Sequence, residues 1–347
     1  MKTKLFPLFA VLLLTGLFLS GCATGMVPSS WPGVMTDGEV AYLAAGSHIY
    51  AVNLETHAEL WRFEIKAHAF AAPVLTDDGQ LIVGGYDHLL YSLDRETGQE
   101  NWTFEARDRW IGSPLVKGGT IYAPNADYFL YALDLDGNLK WKFEADQSIW
   151  GSPVADDQTV YFGTLGRWMF AVSAETGQEV WKTKLDGAIL GRPVLSDGVL
   201  YIGLFDGAFV ALDARTGAIL WQKPIDSWIW SGPLLLQDTL FFGDGSGKFY
   251  AYSKEGELLW SKPLNGAIVG APVAVPAGLA IGTEAGNLYF ISLDGEIVRS
   301  VVVSGAVYDS LAVAGNLLLV SPDKGEALLY AFDDNGAQVW TFIPSKR

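Results

Sequence analysis

Few side chains in this sequence have the type and spacing that catalysis or metal binding requires. The four histidines show neither His-x-x-x-His nor metal-finger spacing. The sequence also lacks a nucleophile elbow, a P-loop and a dinucleotide fingerprint. Four acidic loop residues could bind calcium, although lone carboxylates on loops are more often simply solvated. They are Asp87, Asp127, Asp206 and Asp309. The sequence therefore predicts no catalytic residue, no metal site and no enzymatic activity.

Cys22 is the only cysteine in the chain. Before it come a positive segment with Lys2 and Lys4 and an apolar run, which is short for a membrane span and typical of a secretion signal. The run ends in Leu-Ser-Gly-Cys, which resembles the lipobox of bacterial lipoproteins. That resemblance implies cleavage before Cys22 and lipidation of its thiol. The expected boundaries are residues 1–21 for a lipoprotein signal peptide and 22–30 for a lipid-anchored tether. The alternative is an ordinary secretion signal that ends in cysteine.

The net charge of the chain limits the classes of partner that it can bind. The formal net charge is −16, and because the leader contains Lys2 and Lys4 but no acidic residue, its removal brings the charge to −18. A protein this acidic is repelled by the phosphates of nucleic acids and by the headgroups of anionic lipids. We therefore expect no nucleic-acid partner and contact with the membrane only through the lipid anchor.

A repeat with a period close to 40 residues runs through the rest of the chain. Its signature is Leu-Tyr-Ala-Leu-Asp, a Thr-Gly or Asp-Gly turn, and then tryptophan, with arginine replacing tryptophan in the seventh copy. The eight anchor residues are Trp61, Trp102, Trp141, Trp181, Trp221, Trp260, Arg299 and Trp340. A constant period of this length indicates a propeller or a solenoid.

Each unit contains four short strand-like runs bounded by turn residues. In the fifth unit they are Pro193–Leu195, Val199–Gly203, Phe209–Asp213 and Ile219–Lys223. Because these runs are rich in β-branched and aromatic residues and show no helical periodicity, we predict an all-β fold. The predicted architecture is an eight-bladed β-propeller of four-stranded antiparallel blades over residues 31–347. Each blade could contain its own four strands, or the closing blade could borrow a strand from residues 31–36.

The segment from Ala211 to Trp221 resembles the hallmark motif of the PQQ-like repeat family, Ala-x-Asp-x-x-Thr-Gly-x-x-x-Trp. That resemblance implies that the repeat tryptophans pack against the neighbouring blade and belong to the core. Within the family, the chain is similar to the BamB-like lipoproteins, which are scaffolds in outer-membrane protein assembly. Quinoprotein dehydrogenases share the repeat, but they are longer, and many hold their quinone beneath a pair of adjacent cysteines. We therefore expect no cofactor; the alternatives are a PQQ-dependent dehydrogenase-like quinoprotein and a sugar- or small-ligand-binding sensor.

One face of the predicted propeller has a variable sequence. The loops between blades and those joining second to third strands share this face and contain all six tryptophans outside the repeat, on or beside it, whereas the opposite loops are uniform turns. We expect a partner-binding surface here. Its predicted residues are Phe70, Arg107, Arg109, Trp110, Trp150, Trp168, Trp228, Trp230 and Tyr308. The alternative is that several of these tryptophans are wedges between blades.

The expected function is that of a protein-binding scaffold anchored in the cell envelope. The partner would be an envelope protein or peptide, and the oligomeric state stays open. In a Gram-negative cell the protein would lie on the outer membrane facing the periplasm, because Ala23 replaces the aspartate that commonly retains lipoproteins at the inner membrane. In a single-membrane bacterium it would lie on the outer face of the cell membrane.

Overall fold

The computed structural model describes residues 31–345, so the predicted signal peptide, the predicted tether and Cys22 lie outside the described residues. Within this range the chain forms eight four-stranded antiparallel sheets, each built from four consecutive strands. The prediction of an eight-bladed propeller with four-stranded antiparallel blades is confirmed.

The strands of the first four blades are β1 (Gly33–Thr36), β2 (Val40–Ala45), β3 (His48–Asn53), β4 (Glu59–Glu64); β5 (Val74–Leu75), β6 (Gln80–Gly84), β7 (Leu89–Asp94), β8 (Glu100–Glu105); β9 (Leu115–Lys117), β10 (Thr120–Pro124), β11 (Phe129–Asp134), β12 (Leu139–Glu144); β13 (Val154–Ala155), β14 (Thr159–Gly163), β15 (Trp168–Ser173) and β16 (Glu179–Lys184). Those of the last four are β17 (Val194–Ser196), β18 (Val199–Leu204), β19 (Ala208–Asp213), β20 (Ile219–Pro224); β21 (Leu234–Leu236), β22 (Thr239–Gly243), β23 (Lys248–Ser253), β24 (Leu258–Pro263); β25 (Val273–Val275), β26 (Gly278–Gly282), β27 (Asn287–Ile291), β28 (Ile297–Val302); β29 (Leu311–Ala314), β30 (Leu317–Val320), β31 (Leu329–Phe332) and β32 (Gln338–Phe342).

The hydrophobic core lies between neighbouring blades. The second and third strands of a blade are buried along most of their length because both sheet faces are covered, as in β18 and β19. The outer strand alternates between exposed and half-buried residues, as in β20. A β-bulge interrupts the pairing of third and fourth strands just before the anchor residue, for example where Ala211 pairs with Trp221 and Leu212 pairs with Ile219. The bulge leaves Leu220 as the extra, exposed residue.

The repeat tryptophans join each blade to the next one. The indole nitrogen of Trp221 donates a hydrogen bond to the carbonyl oxygen of Lys254 in blade 6 at 3.0 Å. The ring also packs against Gly256 of that blade, which adopts a φ of +82°. Arg299 takes over the bond in blade 7 by donating to the carbonyl oxygen of Asn335 at 2.9 Å. The predicted packing against the neighbouring blade is therefore confirmed, although Trp221 and several equivalents are half-buried rather than fully buried.

The ring closes without exchanging a strand. Blade 1 contains β1 to β4 and blade 8 contains β29 to β32, so residues 31–36 do not complete the last blade. The two blades instead share a hydrophobic cluster in which Val34 and Leu43 pack with Leu319 and Phe342. Closure by side-chain packing settles the alternative that the sequence left open.

Candidate functional site

The extended segments that lead into the inner strands place successive side chains in opposite directions. In blades 2 to 7, the residue three positions before the proline that precedes the inner strand lines the central channel, as Trp150 and Trp230 do. The residue four positions before that proline is buried between blades, as Ile149 and Ile229 are. Because side chains alternate along extended chain, a shift of one residue decides whether an aromatic ring faces the channel or the core.

Trp110 lies on the buried side of this alternation, so its predicted place on the binding face is wrong. It is only 1% exposed, and its indole nitrogen donates to the carbonyl oxygen of His88 at 2.9 Å. The ring fills the space above Gly84 and contacts Phe104 and Tyr131, whose ring centroids lie 6.3 and 5.5 Å from its own. Trp110 stands four positions before Pro114, and its neighbour Ile111 lines the channel instead. Trp110 is therefore a wedge between blades 2 and 3.

Eight aromatic side chains form a connected group around one mouth of the central channel, which we call the aromatic cluster. Its members are Trp31, Phe70, Tyr86, Trp150, Phe205, Trp228, Trp230 and Tyr308. Trp150 and Trp228 each lie 6.4 Å from Trp230, and Phe205 stacks on Trp228 at 5.9 Å. Five predicted face residues are thus brought together, and the four tryptophans are half-buried, so each offers part of its surface to a partner.

Trp31 occupies the middle of the aromatic cluster. Its ring centroid lies 4.5 Å from that of Tyr308, 5.0 Å from that of Phe70 and 5.0 Å from that of Trp230. These three residues precede blades 8, 2 and 6, so Trp31 bridges opposite sides of the ring and covers the channel mouth. The first described residue therefore enters the propeller at the centre of this face.

The remaining predicted face residues lie at different distances from the cluster. Arg109 joins it, because its guanidinium lies 5.2 Å from the centroid of the Tyr86 ring, a cation–π contact. Arg107 is exposed and its backbone N–H donates to Asp127 at 3.1 Å. Trp168 has ring contact only with Phe170, at 6.4 Å, and lies beneath the ammonium group of Lys184. Arg107 and Trp168 are thus outside the aromatic cluster.

Three of the four acidic loop residues, Asp87, Asp127 and Asp206, form hydrogen bonds or ion pairs within the protein. Asp87 accepts a hydrogen bond from the Tyr91 hydroxyl at 2.6 Å, and Asp127 accepts one from the Tyr131 hydroxyl at 2.7 Å. Burial, followed by these bonds to carboxylates, raises the pKa of both tyrosine hydroxyls. Asp206 pairs with Arg167 at the surface at 3.8 Å. In residues 31–345 no group of three or more His, Cys, Asp and Glu side chains is arranged to hold a metal ion.

A cavity of about 730 Å³ lies in the central channel beneath the aromatic cluster. Trp31, Trp150 and Trp230 line its mouth, and the polar residues Arg192, Ser231 and Asp309 line its interior. Sequence reasoning missed Arg192 and Ser231 and considered Asp309 as a loop residue that could bind calcium but is more often solvated. The signal was present, since Arg192 stands directly before Pro193, where most other blades have alanine, serine or glycine.

A membrane-spanning helix, one both long and apolar enough to cross a bilayer, does not occur between residues 31 and 345.

Comparisons with known proteins place the chain among β-propellers. BamB from Moraxella catarrhalis superimposes with a TM-score of 0.72 at 21% identity, covering 89% of this chain and 96% of that one. The computationally designed Ika8 protein gives 0.75 at 18% identity, with 90% and 97% covered. A europium-containing methanol dehydrogenase gives 0.71 at 13% identity, with 86% and 81% covered. At these identities the likeness shows the shared fold alone.

No curated protein matches the sequence. A family model described as the β-propeller of the beta-alanine-activating enzyme matches residues 30–322. That range covers most of the chain and seven of its eight blades, so the chain belongs to this β-propeller family.

Proposed function

We propose that this chain is a lipid-anchored, extracytoplasmic scaffold that binds an envelope protein or peptide through the aromatic cluster and is not an enzyme. The observation that carries the proposal is a set of half-buried tryptophans, Trp31, Trp150, Trp228 and Trp230, around one channel mouth. Aromatic residues with a polar rim are what protein interfaces favour, and the exposed Arg107 and Arg109 supply such a rim. BamB shares this fold, so the fold is compatible with the proposal.

The position of Trp31 relates the aromatic cluster to the proposed anchor. If Cys22 carries lipid, only residues 23–30 separate it from Trp31, which stands nine positions further along the chain. Nine residues span at most about 30 Å even when fully extended. Since Trp31 lies within the cluster, that face is held close to the membrane. The partner would then be a protein at the membrane surface, which in a Gram-negative cell suggests a component of outer-membrane protein assembly.

The quinoprotein alternative fits this chain less well. Calcium in proteins takes about 6–8 oxygen ligands, usually several of them carboxylates. Among the described residues that line the cavity, Asp309 is the only acidic one. The donor set therefore does not fit a calcium-bound quinone. Robust alcohol- or sugar-dependent dye reduction after addition of PQQ and calcium would contradict the proposal that the protein is not an enzyme.

Replacing Cys22 with serine should remove the lipid and release the mature protein from the membrane. The expected result is loss of labelled fatty-acid incorporation and a shift of the protein from the membrane to the soluble fraction of the envelope. Lys2→Gln, which leaves the lipobox intact, is the control and should keep the label. Continued membrane association of Cys22→Ser would place the anchor elsewhere.

Removing two half-buried cluster residues should abolish partner capture without unfolding the protein. Loss of an interface anchor typically costs about 2 kcal/mol or more in binding, roughly a 30-fold loss of affinity. We therefore expect Trp150→Ala combined with Trp228→Ala to lose the partner that the wild type crosslinks in the envelope. Trp168→Ala is the matched control, since it removes a half-buried tryptophan outside the aromatic cluster. Equal crosslinking by the double variant would refute the proposed face.

A further inference from the structure

Small residues build the wall of the central channel below the aromatic cluster. In blades 2 to 7, the residue two positions before the inner-strand proline is always glycine, alanine or serine, and the residue one position before it is too, except in blade 5. Backbones of neighbouring blades meet here. A Cβ atom at Gly232 would lie 1.8 Å from the carbonyl oxygen of Arg192, and one at Gly191 would lie 2.4 Å from the carbonyl carbon of Ser231. Close approach of eight inner segments therefore explains the small residues.

Two charged side chains break this pattern, and close backbone packing does not require them. Arg192, in blade 5, stands where blades 3 and 4 have Ser113 and Ser152. Asp309, before blade 8, stands where blades 3 and 4 have Gly112 and Gly151. Both side chains line the same cavity. The cavity is thus lined by one cationic and one anionic group on a wall that is otherwise uncharged.

The polar groups in the cavity are poorly satisfied by the protein. Arg192 and Asp309 form no ion pair within 4.0 Å, and among residues 31–345 no group accepts a hydrogen bond from the Arg192 guanidinium. Asp309 receives a single, long bond from the Ala271 N–H at 3.3 Å. Ser231, only 6% exposed, has a hydroxyl without a partner. Arg192 and Asp309 are exposed to solvent in the cavity, so both charged groups are free to take a ligand partner.

The enclosure of the channel acts on both charges. The side chains are accessible to water inside the cavity but surrounded by protein. This desolvation raises the pKa of the Asp309 carboxyl and lowers that of the Arg192 guanidinium, and each charge partly offsets the effect on the other. A ligand carrying both complementary charges would relieve both groups at once.

We propose that the central channel is a binding site for a small zwitterion, an apolar amino acid or short peptide. Its carboxylate binds Arg192, its ammonium group binds Asp309, and its apolar side chain packs against Trp150 and Trp230. The charges of Arg192 and Asp309 sum to zero. An anion alone would therefore be repelled by the Asp309 carboxylate, and a cation alone by the Arg192 guanidinium. The cavity volume of about 730 Å³ lies in the range of small-molecule sites.

The channel also offers a route to this site. A second cavity of about 400 Å³ is lined by both Arg192 and Asp77. Asp77 lies on the turn that joins β5 and β6, at the face opposite the aromatic cluster. A ligand can therefore reach Arg192 without displacing Trp31. The site shares Trp150 and Trp230 with the aromatic cluster, but it does not require the proposed scaffold function, because its charged groups, Arg192 and Asp309, lie outside that cluster.

Isothermal titration of the full-length mature protein with L-phenylalanine and L-leucyl-L-leucine tests the proposal. We expect saturable binding that weakens at least about tenfold in Arg192→Ser and in Asp309→Gly, since each loses a charge-assisted bond. Both replacements introduce the residue that blades 3 and 4 carry at the equivalent position, so both should fold. L-Phenylalaninamide should bind weakly and be insensitive to Arg192→Ser, and N-acetyl-L-phenylalanine should bind weakly and be insensitive to Asp309→Gly.

The matched control is Arg215→Ser, which removes an exposed arginine from an outer turn of the same blade as Arg192. It should bind like the wild type, and melting curves should show all variants folded; Arg192→Gln replaces Arg192→Ser if the latter is not. Three results overturn the proposal: no saturable binding of either zwitterion, binding unchanged in both channel variants, or equal binding of acetate or inorganic phosphate.

Discussion

Trp110→Ala should lower the free energy of unfolding by about 4 kcal/mol, the middle of the range for large buried aromatic residues. The side chain is 1% exposed and fills the space between blades 2 and 3. Its removal leaves a cavity above Gly84 and deprives the His88 carbonyl oxygen of its hydrogen-bond donor. Both losses act on the folded state, because the indole and the carbonyl are solvated in the unfolded chain.

Urea unfolding of the two variants Trp110→Ala and Trp228→Ala compares their losses of unfolding free energy. Trp228 lies in the same kind of loop between blades, but it is half-buried and stacks on Phe205, itself 37% exposed. We expect Trp228→Ala to lower the free energy of unfolding by about 1 kcal/mol, because Trp228 buries less apolar surface than Trp110 does. Equal destabilisation by the two variants would mean that burial does not distinguish the wedge from the cluster residue.

The fold was predictable because one local pattern repeats eight times. Strand-like runs, Gly turns and an anchor residue recur at a near-constant spacing, and each blade satisfies its own backbone hydrogen bonds. Ring closure was not predictable, because it depends on Val34 packing against residues such as Leu319, nearly 300 positions away in the chain. Nothing in the local pattern of residues 31–36 distinguishes a strand of blade 1 from one borrowed by blade 8.

The site was predictable in outline but not in detail. Aromatic enrichment pointed to one face, and Trp150, Trp228 and Trp230 do lie in one cluster on it, while the partner-binding role of that face stays a prediction. The error at Trp110 is a shift of one residue in extended chain, where position relative to Pro114 decides the direction of the side chain. Counting back from each proline would have separated the two groups.

Arg192 was missed for a different reason. Its chemistry is visible only by contrast with the residues at the same position in other blades, such as Ser113 and Ser152. In one blade considered alone, a charged residue beside a proline does not indicate a functional site. Comparison between blades makes Arg192 stand out, because the eight equivalent positions of the ring converge on the same channel.

Gly177→Ala should cost about 3 kcal/mol, although it adds a single methyl group. Gly177 adopts a φ of +70°, which an L-residue occupies at a cost of about 1 kcal/mol. A Cβ atom here would also lie 2.6 Å from the indole of Trp141 in the preceding blade, and overpacking of this kind costs about 2 kcal/mol. The seam between blades 3 and 4 must therefore shift.

Gly198→Ala is the matched control, because Gly198 has a similar φ of +74° but no atom within 4 Å of the added methyl group. It should cost about 1 kcal/mol, the backbone contribution alone. Urea unfolding in a Trp141→Ala background completes the test. There the clash is gone, so Gly177→Ala should also cost about 1 kcal/mol, which gives a coupling energy of about 2 kcal/mol between the two positions. Additive costs would show that the tryptophan does not hold the glycine turn in place, and that the blades are joined by other contacts.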